Sequence, residues 1–173
     1  MKPLRKPTRL DREAYHMGYC FSVTIRTSFD QRLFESTDAV NTGIISLREA
    51  ANKFHARVYA YCFMPDHVHL LARTPPDIDL LKFVDYFKQR SGLALRTELR
   101  DRRRVWQPRF YDHALRSSEG ILPTLRYIFA NPIRAGFVEN PDEYPFSGSL
   151  EWPDILTAGL ESPGLHSSVV PKR

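Results

Sequence analysis

The sequence predicts an α+β domain in which helices pack on one antiparallel sheet. Two segments carry apolar residues at helical spacing, and short runs of aromatic and β-branched residues lie before, between and after them. The order of these segments is strand, helix, strand, strand, helix, strand, which is the split βαβ arrangement. The chain has 173 residues, of which 42% are hydrophobic, so it is long enough for one domain with a substantial core.

Four segments have the composition of β-strands. Residues 18–27 are rich in Tyr, Phe, Val, Ile and Thr and alternate in polarity. Residues 57–63 and 67–73 are apolar runs separated by the Met-Pro-Asp of residues 64–66, a turn by composition, so they should pair as a hairpin. An extended segment over residues 106–116 should complete the sheet.

Three segments are predicted to be helices. Residues 39–54 and 80–94 both place apolar side chains on one stripe and charged side chains opposite it. A shorter helix is predicted over residues 122–131, with Pro123 tolerated in its first turn. Pro132 should end or reset this helix, because the residue before a proline avoids the α region. The whole pattern is that of a ferredoxin-like fold.

The flanks of the chain differ in composition from its middle. We expect a basic arm over residues 1–18, one domain over residues 19–149, and a tail over residues 150–173 that is mostly loop, with one short helix near residues 154–158. No signal peptide or membrane-spanning segment is visible, which leads us to expect a cytoplasmic protein without membrane contacts.

Charge and cysteine content restrict the function only weakly. The chain has 25 Lys and Arg against 20 Asp and Glu, a net charge of +5, which favours a polyanionic partner but also suits many solvated surfaces. Its two cysteines, Cys20 and Cys62, lie beside aromatic residues in predicted strands. We interpret both as small core residues rather than a disulfide pair, which agrees with a reducing compartment.

His67 and His69 give the strongest chemical signal. Alternate residues of a strand point to the same face, so the two imidazoles can share one ligand while Val68 and Leu70 face the core. The pair by itself is ambiguous, because alternating histidines also occur on half-exposed strands that bind nothing.

Tyr127 and Asn131 lie four residues apart on the predicted third helix, so they share one face. A phenol and an amide oxygen at this spacing can reach the same phosphate or cation. Structural roles fit the spacing as well, and spacing alone favours them: Tyr127 would be a core aromatic, and Asn131 would cap the helix before Pro132.

Four blocks of sequence carry a family resemblance. They are MPDHVHLL at residues 64–71, WQPRFYDH at 106–113, YIFANPIRAG at 127–136 and NPDEYPFS at 140–147. Together they resemble the REP-associated tyrosine transposases, relatives of the single-tyrosine insertion-sequence transposases within the HUH endonucleases. The resemblance extends over residues 19–149 and implies the HUH single-tyrosine transposase fold, with helices packed on an antiparallel sheet.

The resemblance implies a metal-assisted single-strand DNA endonuclease and strand transferase that acts beside hairpin-forming REP repeats. By position, Tyr127 is the nucleophile that becomes joined to the 5′ phosphate, His67 and His69 are metal ligands, and Asn131 completes the coordination. The expected cofactor is Mg²⁺ or Mn²⁺. The expected partner is single-stranded hairpin DNA near the nucleoid, bound by a monomer or a homodimer.

Residues that contact DNA can be predicted only coarsely. Aromatic residues of the second block could stack on unpaired bases, although core positions are the favoured interpretation for Trp106, Phe110 and Tyr111. Arginines could follow phosphates, or equally could form a solvated charged turn. The arginines concerned are Arg100, Arg102, Arg103, Arg104, Arg109 and Arg134.

Alternatives to this function remain open. The chain could be a DNA-binding module whose histidine pair has lost its activity. It could also be a zinc-dependent hydrolase, which would need a third strong ligand beside His67 and His69. Asp66 is the nearest carboxylate, but strand parity turns it away from the histidines. Other tyrosines could replace Tyr127 as nucleophile, namely Tyr86, Tyr111 and Tyr144.

Overall fold

The computed structural model describes residues 12–100, 102–115 and 120–157. Within these ranges five strands form one antiparallel sheet: β1 (Cys20–Arg26), β2 (Arg57–Met64), β3 (His67–Arg73), β4 (Tyr111–Ala114) and β5 (Ser147–Gly148). The described helices are α1 (Thr37–Phe54), α2 (Leu80–Glu98), α3 (Ile121–Phe129) and α4 (Asn131–Arg134). The ends of the chain proposed as arm and tail lie largely outside these residues.

The sheet has the strand order β4-β1-β3-β2-β5, and every neighbouring pair is antiparallel. The α+β, split βαβ fold predicted from the sequence is therefore confirmed, with β5 added at the edge beyond β2. The hairpin of β2 and β3 turns at Pro65 and Asp66, as its composition indicated. Ser36 caps α1, its hydroxyl oxygen accepting the backbone N–H of Ala39 at 3.2 Å.

Each face of the sheet has its own core. Helices α1 and α2 cover one face, where Val68 and Leu70 of β3 pack with Phe83 and Phe87 of α2. On the other face, α3 packs on β2 and β3, and Leu71 contributes to that second cluster. Because side chains alternate along β3, His67 and His69 lie on the same face as α3. The predicted parity of the histidine pair is thus confirmed.

The segment predicted as one strand over residues 106–116 is interrupted. Trp106 forms an isolated bridge with Thr27, and regular pairing begins only at Tyr111. Trp106 is buried, and its indole N–H donates to Ser91 Oγ at 3.0 Å. Phe110 packs partly against the same core. Tyr111 is 55% exposed, so the core interpretation is wrong for this residue.

The region after α4 departs most from expectation. Strand β5 was not predicted, and residues 154–157 form a turn where a short helix was expected; residue 158 lies outside the described residues. Cys20 and Cys62 are buried and free, as predicted, and burial raises the pKa of Cys20 to about 12 and that of Cys62 to about 11. None of the helices in the described ranges is long and apolar enough to cross a membrane.

Candidate active site

His67 and His69 lie side by side at the start of β3. Their Nε2 atoms are 3.0 Å apart, and their rings are nearly perpendicular, at 88°. Two imidazole nitrogens that bind one cation at about 2.1 Å with a right angle between them would be separated by about 3.0 Å. Without a cation, the same separation allows one ring nitrogen to donate a hydrogen bond to the other. The separation of the two Nε2 atoms is therefore compatible with a shared cation.

Each imidazole is held through its other nitrogen. His67 Nδ1 lies 2.6 Å from Asp66 Oδ1, and His69 Nδ1 lies 3.0 Å from Thr24 Oγ1. Such partners fix the orientation of a ring and leave its Nε2 free for a ligand. The parity argument that turned Asp66 away is wrong, because Asp66 lies in the turn before β3 and does not follow the alternation of the strand.

The surroundings of His69 favour its neutral imidazole form at physiological pH. Burial lowers the pKa of His69 to about 4, and the positive charges of His67, Arg134 and Arg26 act in the same direction. Burial alone would raise the pKa of Asp66, but the hydrogen bond with His67 and the charges of His67 and Arg26 hold it below its usual value. A neutral imidazole is the form that binds a metal ion.

Tyr127 lies on α3, and its side chain is 60% exposed, so the interpretation as a core aromatic is wrong. The guanidinium carbon of Arg134 lies 4.0 Å from the centroid of the Tyr127 ring, a cation–π contact. The same arginine is close enough to His69 for its charge to lower the pKa of that residue. Arg134 therefore contacts the exposed phenol and acts electrostatically on His69.

Asn131 caps the end of α3. Its Nδ2 donates to the carbonyl oxygens of Tyr127 at 3.2 Å and Ile128 at 2.9 Å, and its Oδ1 accepts Arg134 Nη2 at 2.8 Å. The capping role that spacing favoured is present. A role of Asn131 as metal ligand stays a prediction; Oδ1 has a second lone pair beside the one that accepts Arg134.

A third strong ligand for a zinc hydrolase does not emerge from the described residues. They contain no group of three or more His, Cys, Asp or Glu side chains that could hold a metal ion. Asp66 approaches His67 through Nδ1, on the side of the ring away from the shared Nε2 atoms. Within these ranges the candidate metal ligands are therefore the two histidines, whose rings are oriented by hydrogen bonds to their Nδ1 atoms.

The rival tyrosines differ in their surroundings. Tyr144 is buried, and its hydroxyl donates to the carbonyl of Phe63 at 2.9 Å. Tyr86 packs against the main core beneath Lys53. Tyr111 is exposed and lies on the face of the histidine pair, because Thr24 of β1 is paired with His69 on one side and with Tyr111 on the other. Tyr111 is the rival that needs an experimental control.

The arginines of interest fall into two groups. Arg134 belongs to the site itself. The segment from Arg102 to Arg104 is exposed and lies beside the turn that follows β1, where the Ser28 N–H donates to the Val105 carbonyl at 2.7 Å. Arg100 and Arg109 are exposed as well. Their contact with phosphates stays a prediction.

Comparison with known proteins decides the family. Residues 18–128, from the start of β1 into α3, match the family model described as "Transposase IS200 like". The chain belongs to the IS200-like transposase family. The matched region is well over half of the chain and contains the histidine pair and Tyr127.

Relatives of this IS200-like transposase carry the name expected from the sequence blocks. A Haemophilus influenzae protein provisionally named a REP-associated tyrosine transposase is 27% identical over 139 residues, covering 75% of this chain and 77% of its own. The Escherichia coli REP-associated tyrosine transposase is 25% identical over 132 residues, 73% of each chain. The resemblance inferred from the sequence is confirmed.

A solved structure supports the fold of the IS200-like transposase. The structure of a REP-associated tyrosine transposase bound to a REP hairpin superposes with a TM-score of 0.66 at 22% identity, covering 81% of this chain and 82% of that one. The split βαβ sheet with its packed helices is thus the fold of a solved transposase.

Proposed function

We propose that this transposase cuts and rejoins single-stranded DNA beside hairpin-forming repeats, through a 5′-phosphotyrosine intermediate at Tyr127. One observation carries the proposal. The exposed Tyr127, in contact with Arg134, lies on helix α3, and α3 packs on the same face of the sheet as two imidazoles whose Nε2 atoms are close enough to share a ligand. The hairpin found with the structural relative supports repeats of this kind as the substrate.

The residues of the chain account for the bond changes. The Tyr127 oxygen attacks the phosphorus, loses its proton, and forms a new ester, while the bond to the 3′ oxygen breaks and that oxygen takes up a proton. A phenol with a pKa near 10 is a weak nucleophile at neutral pH, so the reaction depends on placing the Tyr127 oxygen in line with the phosphorus; the cation–π contact with Arg134 holds the ring. The number of phosphodiester bonds is conserved, so a 3′ hydroxyl can reverse the step without ATP.

His67 and His69 are the residues that would hold a divalent cation, Mg²⁺ or Mn²⁺, with Asn131 as a further candidate ligand. When bound, such an ion neutralises phosphate charge and polarises a phosphate oxygen. Asp66 and Thr24 orient the two rings for this task. Arg26 anchors Asp66 through an ion pair of 3.1 Å.

The proposal is tested by trapping the covalent intermediate. A REP-type hairpin oligonucleotide labelled at its 3′ end is incubated with Mg²⁺ or Mn²⁺ and the protein, and adducts are resolved on a denaturing gel. The label must be at the 3′ end, because the fragment joined to the tyrosine carries the 5′ phosphate. We expect an adduct with the wild type and none with Tyr127→Phe.

Tyr111→Phe is the matched control, because it removes the other exposed hydroxyl on the same sheet face. We expect its adduct to equal that of the wild type. An adduct that persists in Tyr127→Phe and disappears in Tyr111→Phe would reassign the nucleophile. Hairpin binding without any adduct in the wild type would favour the DNA-binding module instead.

A further inference from the structure

The turn after β1 presents an aromatic side chain that folding does not explain. Phe29, in the short 3₁₀ turn Ser28–Asp30, is 91% exposed. Its backbone φ is +56°, and that of Asp30 is +51°. A bulky side chain in this left-handed region is disfavoured, and glycine or asparagine is the usual occupant. Phe29 thus has a disfavoured backbone conformation, and its apolar ring is exposed to solvent.

The turn is nevertheless held firmly. The hydroxyl oxygen of Thr27 lies 2.7 Å from the carbonyl oxygen of Gln31 and 2.9 Å from that of Asp66, so its single proton is shared between these two acceptors. The side-chain amide of Gln31 donates to the Ser28 carbonyl at 2.7 Å. Because these bonds do not involve the Phe29 ring, the backbone that carries Phe29 is held in place independently of the ring.

The turn lies between the histidine pair and the arginine segment. On one side, Arg26 is opposite His67 in the sheet register and forms ion pairs with both Asp66 and Asp30. Phe29 is the third residue after Arg26, a chain reach of about 10 Å. On the other side, the Gln31 amide donates to the carbonyl of Arg104 at 3.2 Å. An exposed aromatic thus lies between the histidine pair and the exposed arginines of residues 102–104.

We propose that Phe29 stacks on an unpaired base of the DNA strand that runs from the histidine pair towards Arg102–Arg104. The inference rests on the proposed function in one respect, that the strand at the histidine pair is single. An exposed aromatic on an anchored turn beside arginines is a combination that binds single strands, since the ring stacks on any base while the cations follow phosphates. The exposed arginines Arg102–Arg104 favour a polyanion over an apolar partner surface.

Binding measured without cleavage tests this contact. Fluorescence anisotropy with the hairpin oligonucleotide and its single-stranded flank is recorded in EDTA for the wild type, Phe29→Asn and Phe29→Trp. We expect Phe29→Asn to weaken binding about tenfold or more, and Phe29→Trp to retain it. Ile45→Asn is the control, because Ile45 is 58% exposed on α1, across the sheet from the histidines, and should bind as the wild type does.

Two further readouts separate stacking from a structural role. The melting temperature of Phe29→Asn should equal or exceed that of the wild type, because asparagine tolerates the left-handed backbone. In the wild type, 2-aminopurine in the flank should lose fluorescence on binding, and Phe29→Asn should restore it. Unchanged affinity in Phe29→Asn, or a wild-type dimer that this substitution dissociates, would overturn the proposal. Absence of the Tyr127 adduct with these binding results intact would refute cleavage alone.

Discussion

Replacement of His69 by alanine is expected to slow strand cleavage more than about a hundredfold. Replacing even a residue that only hydrogen-bonds to a metal ligand commonly lowers metal affinity or activity 10–100-fold. His69 supplies one of the two Nε2 atoms that are 3.0 Å apart, so its loss leaves a single imidazole at the proposed cation site. Single-turnover cleavage of the hairpin oligonucleotide in Mn²⁺ measures the effect, and anisotropy in EDTA should show hairpin binding close to that of the wild type.

His16→Ala is the matched control for the His69 variant. His16 precedes β1, at the end of that strand opposite to Arg26, and its Nε2 lies 3.7 Å from an Asp79 oxygen. This variant loses an imidazole without touching the pair, and it should cleave like the wild type. Undiminished cleavage by a folded His69→Ala protein would show that the histidine pair is not part of the reaction.

Gly43→Ala is expected to destabilise the fold by about 1–3 kcal/mol, the usual cost of overpacking a core. A Cβ at position 43 would lie 2.5 Å from the ring of Phe63. That ring cannot easily retreat, because it is fully buried and in edge contact with Phe34 and Tyr61. Urea denaturation measures the change in the free energy of unfolding.

Gly92→Ala tests the same substitution in the other long helix. A Cβ at position 92 would approach Trp106 no closer than 3.5 Å, an ordinary contact. With no clash, the better helix propensity of alanine should stabilise the protein by up to about 1 kcal/mol. Destabilisation by Gly92→Ala, or stabilisation by Gly43→Ala, would contradict the packing described between the helices and the sheet.

The parts of the fold that follow from local periodicity were predictable. Alternation over residues 67–73 identified β3 and placed His67 and His69 on one face. This facing is well determined, because the other face of the strand is buried under α1 and α2, and a shift by one residue would bury the imidazoles there. The helical stripe beginning at Leu80 located α2 for the same reason, although the helix continues past residue 94 to Glu98.

Features that depend on distant contacts were not predictable. The two-residue strand β5 carries no periodicity and exists because Ser147 and Gly148 pair with β2. The role of Asp66 depends on its place in a turn, where strand parity does not apply. The exposure of Tyr127, by contrast, was within reach of the sequence, because Ile121, Leu125 and Ile128 recur at helical spacing on the buried face of α3 and leave Tyr127 off that stripe.

Phe29 illustrates a different limit. An aromatic residue after a strand is typical of many buried turns, and nothing in the local sequence signals a left-handed backbone or a side chain that is 91% exposed. Only the hydrogen bonds of Thr27 and Gln31 to neighbouring segments show that the turn is fixed beside the histidine pair.

Pulsed electron paramagnetic resonance of Mn²⁺ tests most directly whether His67 and His69 share one cation at the DNA. The sample is the uncleavable complex of the Tyr127→Phe protein with the hairpin oligonucleotide. We predict nitrogen couplings from two imidazoles, and from one after the additional change His69→Ala. Absence of nitrogen coupling, in a complex whose wild-type counterpart cleaves DNA with Mn²⁺, would contradict a cation held by the histidine pair.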